Sequence, residues 1–298
     1  MPGEGYLSLS GLTIGVLVGL TGMGGGSLMT PLLVLAFGFS PTLAVGTDLV
    51  HGAIFKSVGA IRQRTLGTVQ ARLSGWMLLG SAPMSLLGVA VAATLRHRYG
   101  SGADSVSGVV VGAALLVGAS GMVAKTLIRF REPPNGPFVL RRRDRLVAIA
   151  IGVFGGFVVG LTSVGSGVFF GLTMLVAFPI RSSKVVGTDI FHAAALLWVA
   201  GAGHLVAGDV DLHAVGWLLV GSIPGVLIGS HFTPRIPDRT MRLLLSLVLL
   251  LGGEKLVGMP NAWLAVLPVL VGLSLSALAY SKRRRIGPVP SSVPSEVA

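Results

Sequence analysis

GLTGMGGGSLMTP, residues Gly19 to Pro31, places a run of glycines inside a strongly apolar chain. Glycine is a poor residue for a helix interior. A helix broken inside a bilayer leaves N–H and C=O groups that find no water to bond. A membrane protein keeps such a break only where the loosened backbone is buried in protein or lines a wet cavity. The apolar run that follows, 27–39, has only about 13 residues, or roughly 20 Å of helix against a hydrocarbon core of about 30 Å. The stretch therefore reads as the opening of a half-helix or re-entrant hairpin whose tip lies at membrane depth. Close helix packing of the small-xxx-small kind is the plainer reading.

The rest of the chain has the composition this requires. Of 298 residues 52% are hydrophobic and 11% charged, and the mean hydropathy is +0.83. Soluble domains carry about 25% charged residues, so no soluble fold covers this much apolar surface. Apolar segments fall near 5–22, 27–39, 43–61, 73–95, 105–128, 146–163, 168–180, 184–206, 214–233, 240–258 and 262–280. The expected fold is an all-α polytopic membrane protein with about 9–11 membrane segments. Residues 1–6 lack the basic start of a signal peptide, so the first segment reads as a retained span. The absence of cysteine removes disulfides and thiolate chemistry. The net charge of +12 sits in Lys125 to Arg145, Arg235 to Arg242 and Lys282 to Arg285, between or after spans. That is the distribution of the positive-inside rule and gives no reason to expect nucleic acid as a partner.

A shift of 141 residues lays the chain on itself. Val18-Gly19-Leu20-Thr21 falls on Val159-Gly160-Leu161-Thr162, Gly46-Thr47-Asp48 on Gly187-Thr188-Asp189, and His51 on His192. Gly75-Trp76 falls on Gly216-Trp217, and Gly80-Ser81-Ala82-Pro83 on Gly221-Ser222-Ile223-Pro224. Register held without a gap at residue types as rare as Trp, His and Pro marks two homologous halves. The organisation is then a first repeat over 5–128, a basic linker over 129–145, a second repeat over 146–258, an added helix over 262–280, and a basic, then disordered, tail over 281–298.

Each half holds an odd number of segments, so the second is expected to enter the membrane inverted. The loops agree. Arg62, Arg64 and Arg72 follow the third segment, whereas its counterpart, 203–213, carries Asp209 and Asp211 and no Lys or Arg. The bare turn at Ser40–Thr42 corresponds to Arg181–Lys184 in the second half. Opposite charge bias at matching loops marks inverted repeats. The expected location is the cell membrane, multi-pass, with the linker and C-terminal tail cytoplasmic. Arg96 and Arg98 are the one discord, falling outside.

The paired glycine stretches, with Pro31 and Ala44-Val45-Gly46-Thr47-Asp48 in the first half and Val186-Gly187-Thr188-Asp189 in the second, resemble the sulfite exporter TauE/SafE family, the toluene-sulfonate uptake permeases. His204 before Gly208-Asp209-Val210 is also similar to that family's second-half loop, and the likeness covers roughly 8–255. It implies an inverted-repeat transporter moving sulfite, thiosulfate or organosulfonates. The second half departs by losing the triple glycine and by placing Leu172 where the first has Pro31.

Candidate site residues follow from the repeat. A half-helix opening after glycine presents free N–H groups and the positive end of its dipole, which attract anions. Thr21, Gly24, Gly25, Gly26 and Ser27, with Thr162, Gly165, Ser166 and Gly167, are the candidate substrate contacts, and Thr47 and Thr188 add hydroxyls. Asp48 and Asp189 lie six to eight residues into their segments, where a carboxylate is costly and functional by default; the plainer reading has Thr and Asp cap a helix that begins at the glycine. His51 and His192 share a helix face with these carboxylates and are candidate proton carriers, or else core histidines bonded to their Asp neighbours. Lys56, whose counterpart is Leu197, reads as a cation snorkelling toward the cytoplasmic surface near Arg62, with an anion-holding role as the alternative.

No nucleophile–base pair or tetrahedral metal set is evident, so no catalytic residue, metal or cofactor is expected. The expected activity is secondary transport of small sulfur-containing anions by alternating access, with proton coupling through Asp48–His51 or Asp189–His192. A cation/proton antiporter using the two Asp residues is the alternative. The expected partners are the anion and the bilayer, with a homodimer left open.

Overall fold

The computed structural model describes residues 4–21, 26–99, 101–127, 138–165, 167, 169–232 and 238–259. Among them are ten helices and no strand: α1 (Glu4–Thr21), α2 (Gly26–Phe37), α3 (Pro41–Thr65), α4 (Ala71–Tyr99), α5 (Ser101–Leu127), α6 (Arg142–Thr162), α7 (Phe169–Ala177), α8 (Ser182–Val206), α9 (Leu212–Phe232) and α10 (Asp238–Val257). The all-α expectation holds, and ten of the eleven expected segments are present within a few residues of their expected ends. The eleventh, 262–280, lies outside the described residues, as do the tail and most of the linker.

The helix ends follow from local sequence. α3 opens at Pro41 in its first turn, after an extended Ser40, where the missing N–H and fixed φ of proline cost nothing. It closes at Gly67, whose φ of +65° is left-handed, with the Thr68 N–H donated to the Gln63 carbonyl at 3.2 Å. α8 closes in the same way at Gly208, φ +75°, with the Asp209 N–H on the His204 carbonyl at 2.9 Å. Both are Schellman-type ends, which need a residue that tolerates positive φ. Each lies at the repeat equivalent of the other.

Helix bounds fall on either side of both glycine stretches, whose residues 22–25, 166 and 168 lie outside the described residues. α1 ends at Thr21 and α2 begins at Gly26; α6 ends at Thr162 and α7 begins at Phe169. α2 has 12 residues and α7 has 9, or about 18 and 14 Å of rise, well short of a core of about 30 Å. Five other helices, α4, α5, α6, α8 and α9, are long and apolar enough to cross a membrane. Their outward faces carry exposed Leu79, Val117, Phe154, Val220 and Leu227, the surface a hydrocarbon solvent calls for and water does not.

The packing is reciprocal. α1 lies along α9 and α6 along α4, while α3 and α8 face each other at the centre and α5 packs on α10. By the repeat shift, α1 corresponds to α6 and α9 to α4. Each half thus presses the same surface onto the other half's counterpart, which is how isologous partners meet. Glycines line both contacts. A Cβ at Gly15 would overlap the backbone of Ser222, and one at Gly156 the backbone of Ser81; Gly11 and Gly152 stand in the same relation to Leu218 and Met77. Backbones approach this closely only across small residues. For these glycines within α1 and α6, the packing role applies.

Candidate functional site

The two central helices carry the candidate carboxylates. α3 is continuous from Pro41 to Thr65 and α8 from Ser182 to Val206. Asp48 and Asp189 therefore stand well inside helices, and the reading of them as caps of helices beginning at glycine is overturned. Both are buried, as are Thr47, Thr188, His51 and His192. α3 also buries Lys56, about two turns beyond Asp48.

Asp48 Oδ2 accepts hydrogen bonds from Thr30 Oγ1 at 2.7 Å and from Ser163 Oγ at 2.7 Å. Those two hydroxyl oxygens stand only 2.6 Å apart. Thr30 lies on α2. Ser163 terminates α6 in a left-handed conformation, φ 58°, unusual for a residue with a side chain. The carboxyl of the first half is thus bonded to the helix break of the second. Glycine at 165 and 167 continues that break with φ of +120° and +116°, values that L side chains rarely adopt.

The histidines do not bond their Asp neighbours, contrary to the plainer expectation. His51 Nε2 is 2.9 Å from Ser222 Oγ on α9, and His192 Nε2 is 2.9 Å from Ser81 Oγ on α4. Each bond crosses between halves, and the two are equivalent under the repeat. His51 stacks on Phe55 with ring centroids 5.8 Å apart, and His192 meets Phe170 edge-on at 4.4 Å. Sharing a helix face is therefore not enough: Asp48 turns to α2 and the break, and His51 to α9.

The threonines anchor opposite loops. Thr47 Oγ1 accepts the Asp211 N–H at 3.1 Å and Thr188 Oγ1 the Gln70 N–H at 2.9 Å, again an equivalent pair. Asp211 and Gln70 immediately precede α9 and α4, so each threonine satisfies an otherwise orphaned donor at a helix start in the other half. Thr162 donates to the Val158 carbonyl at 2.7 Å and accepts the Val164 N–H at 3.2 Å, closing the end of α6. Thr21, Gly26 and Ser27 are placed at the ends of α1 and α2 by their backbone alone, and Gly24, Gly25 and Ser166 lie outside the described residues.

Lys56 does not snorkel. It is buried, 3% exposed, and lines a cavity of about 10 Å³ with Asp48, His51, Phe55 and Ser222. There it stands among Asp48 and His51 of its own helix and Ser222 of the second half. The reason lies in helix geometry. Residues 48, 52 and 56 stack on one face, and helical side chains lean toward the N-terminus. Lys56 therefore reaches back toward Asp48 rather than forward to Arg62. Arg96, the discordant outer cation, is partnered too: it forms an ion pair with the buried Asp209 and donates to the Ala207 carbonyl at 3.3 Å.

Sequence reasoning did not single out Thr30, Ser163, Ser81 or Ser222. For the last two a signal existed, since Gly-Ser-x-Pro recurs in register at 80–83 and 221–224. Thr30 and Ser163 have no repeat counterpart of their own type, because Gly171 and Gly22 occupy those places. Among the described residues no cluster of three or more His, Asp or Glu is arranged to hold a metal ion.

Comparison with known proteins points to membrane transport. The family model described as Sulfite exporter TauE/SafE matches residues 7–256. "Probable membrane transporter protein YjnA" of Bacillus subtilis (strain 168) is 38% identical over 249 residues, covering 84% of this chain and 98% of that protein. "Probable membrane transporter protein YunE" of the same organism is 24% identical over 267 residues, covering 84% and 96%. No solved structure matches the chain.

Proposed function

The chain belongs to the sulfite exporter TauE/SafE family, and on that premise we propose that it carries small sulfur-containing oxyanions by proton-coupled alternating access of its two halves. As a member it is a multi-pass membrane transporter and not an enzyme. Sulfite, thiosulfate and organosulfonates form the proposed substrate class. In this reading the glycine-rich stretches at 21–27 and 162–167 are the anion's contacts, and the Asp and His residues of α3 and α8 carry the proton.

The observation that carries the coupling is the triangle of Asp48 Oδ2, Thr30 Oγ1 and Ser163 Oγ, with edges of 2.7, 2.7 and 2.6 Å. Oδ2 accepts from both hydroxyls, and a proton placed on Oδ2 must turn one of those donors away. Ser163 belongs to the other half, so parting the halves removes one donor from the carboxylate, and protonation of Asp48 is thereby coupled to their separation. The cavity beside Asp48, about 10 Å³, has room for about one water. A tetrahedral oxyanion enters only when the halves move apart, which is the motion alternating access supplies.

The two halves are proposed to sit inverted in the membrane. A cysteine introduced at Gly136 is expected to react with an impermeant maleimide only from the cytoplasmic side, and one at Gly208 only from outside. Reaction of both from one side would overturn the inversion.

The buried carboxylates also fit a cation/proton antiporter. Purified protein in proteoliposomes, given sulfite or thiosulfate in one set and sodium or potassium in another, separates the two readings. The anion set is expected to show saturable, pH-gradient-dependent flux and the cation set none. Cation flux without anion flux would replace this reading with its rival.

A further inference from the structure

We propose that Lys56 is the fixed cation of the transport site, the group on which the substrate's negative charge rests while it crosses the membrane. This rests on the anion-carrier reading and deepens it, because an anion cannot settle beside two carboxylates without a positive charge to hold it.

Four observations converge on this residue. Lys56 is buried at 3% exposure, and a charge is kept in such a place only when it is paired or functional. It borders the cavity that Asp48, His51 and Ser222 line. That cavity is shared by the two halves, Asp48 and His51 coming from the first and Ser222 from the second, so Lys56 stands where they meet. Its repeat counterpart, Leu197, is buried and apolar. Symmetry therefore does not account for the lysine: the His–Ser and Thr–N–H bonds occur twice, whereas this charge occurs once. A single site shared by two halves needs one such charge.

The chemistry is that of an exchangeable counter-ion. With the site empty, the ammonium is balanced by the carboxylates around it. An arriving oxyanion takes their place, and a carboxyl that gains a proton no longer competes. A monoanion entering with one proton, or a dianion such as thiosulfate with two, one on each carboxyl, then leaves the net charge of the low-dielectric site unchanged. An ammonium on a flexible stem, with three rotatable donors, suits a tetrahedral oxyanion that must bind from either side.

Radiolabelled thiosulfate binding to purified, monodisperse protein in detergent tests this, with Lys56→Arg, Lys56→Met and the double variant Lys56→Met with Asp189→Asn. The double variant removes one charge of each sign, so it keeps the fold even if Lys56→Met alone does not. Lys56→Arg is expected to bind within about tenfold of the wild type, and both methionine variants about 30-fold or more weakly, the loss typical of removing one member of a buried charge pair. A folded methionine variant binding within about threefold of wild type would overturn the assignment and leave Lys56 a structural counter-ion. Wild-type protein that moves cations and no anion would instead bring down the carrier reading itself.

Discussion

Gly156→Val is expected to cost about 3 kcal/mol, the upper end of overpacking, and to lower the thermal midpoint in detergent sharply. Even the first carbon of a side chain at this position would overlap the carbonyl, Cα and carbonyl carbon of Ser81. The obstacle is helix backbone, which cannot rotate aside as a side-chain end can, so α4 and α6 would have to separate along their length. Ser81 is also the partner of His192, and the same displacement should disturb the site. Gly15→Val should behave alike, because it meets the backbone of Ser222, the partner of His51. Gly75→Ala and Gly216→Ala are the controls. Both lie within helices with nothing inside 4 Å of an added Cβ, and each should gain about 0.5–1 kcal/mol from helix propensity. A Gly156→Val protein that melts with the wild type would refute the close seam between α4 and α6.

Asp48→Asn is expected to abolish pH-driven accumulation of the anion while binding and exchange persist. Asparagine has the size and the neutrality of a protonated aspartate. Its amide nitrogen can take the place of Oδ2 and donate to Thr30 and Ser163, which stand 2.6 Å from each other, so the contact survives without a group that titrates. The halves can still move, and Lys56 is untouched. What is lost is a carboxyl able to take up and release a proton as Ser163 parts from it and returns. Three measurements on this one variant separate the alternatives. Accumulation preserved at the wild-type level would remove Asp48 from the coupling path. Loss of binding in folded protein would make its carboxylate a direct ligand, as the antiporter reading requires.

Much of this architecture was legible in the chain. The 141-residue shift, read from letters alone, matches residues that prove equivalent in space: His51 with His192, and Ser81 with Ser222. The interruption after Thr162 follows from the conformational demands of glycine, with Gly165 and Gly167 both at positive φ. This is a local property, set by a residue and its near neighbours, so periodicity and composition report it. Lys56 shows where such reasoning stops. Its spacing from Arg62 suggested a surface, whereas stacking on Asp48 and the N-terminal lean of its side chain put it inside.

From the sequence alone came a repeated set of apolar helical segments with glycine stretches at matching places, and carboxylates and histidines inside those segments. Only the tertiary structure decided which groups those side chains answer. Asp48 bonds the break of the opposite half, each histidine crosses to the opposite half's serine, and each threonine caps a helix it does not belong to. The physical reason is that every one of these bonds joins residues more than a hundred positions apart. A repeat reveals that two segments are alike, but which face of one meets which face of the other is chosen by glycine-to-backbone packing along α1–α9 and α4–α6, and by the burial of charge between α3 and α8.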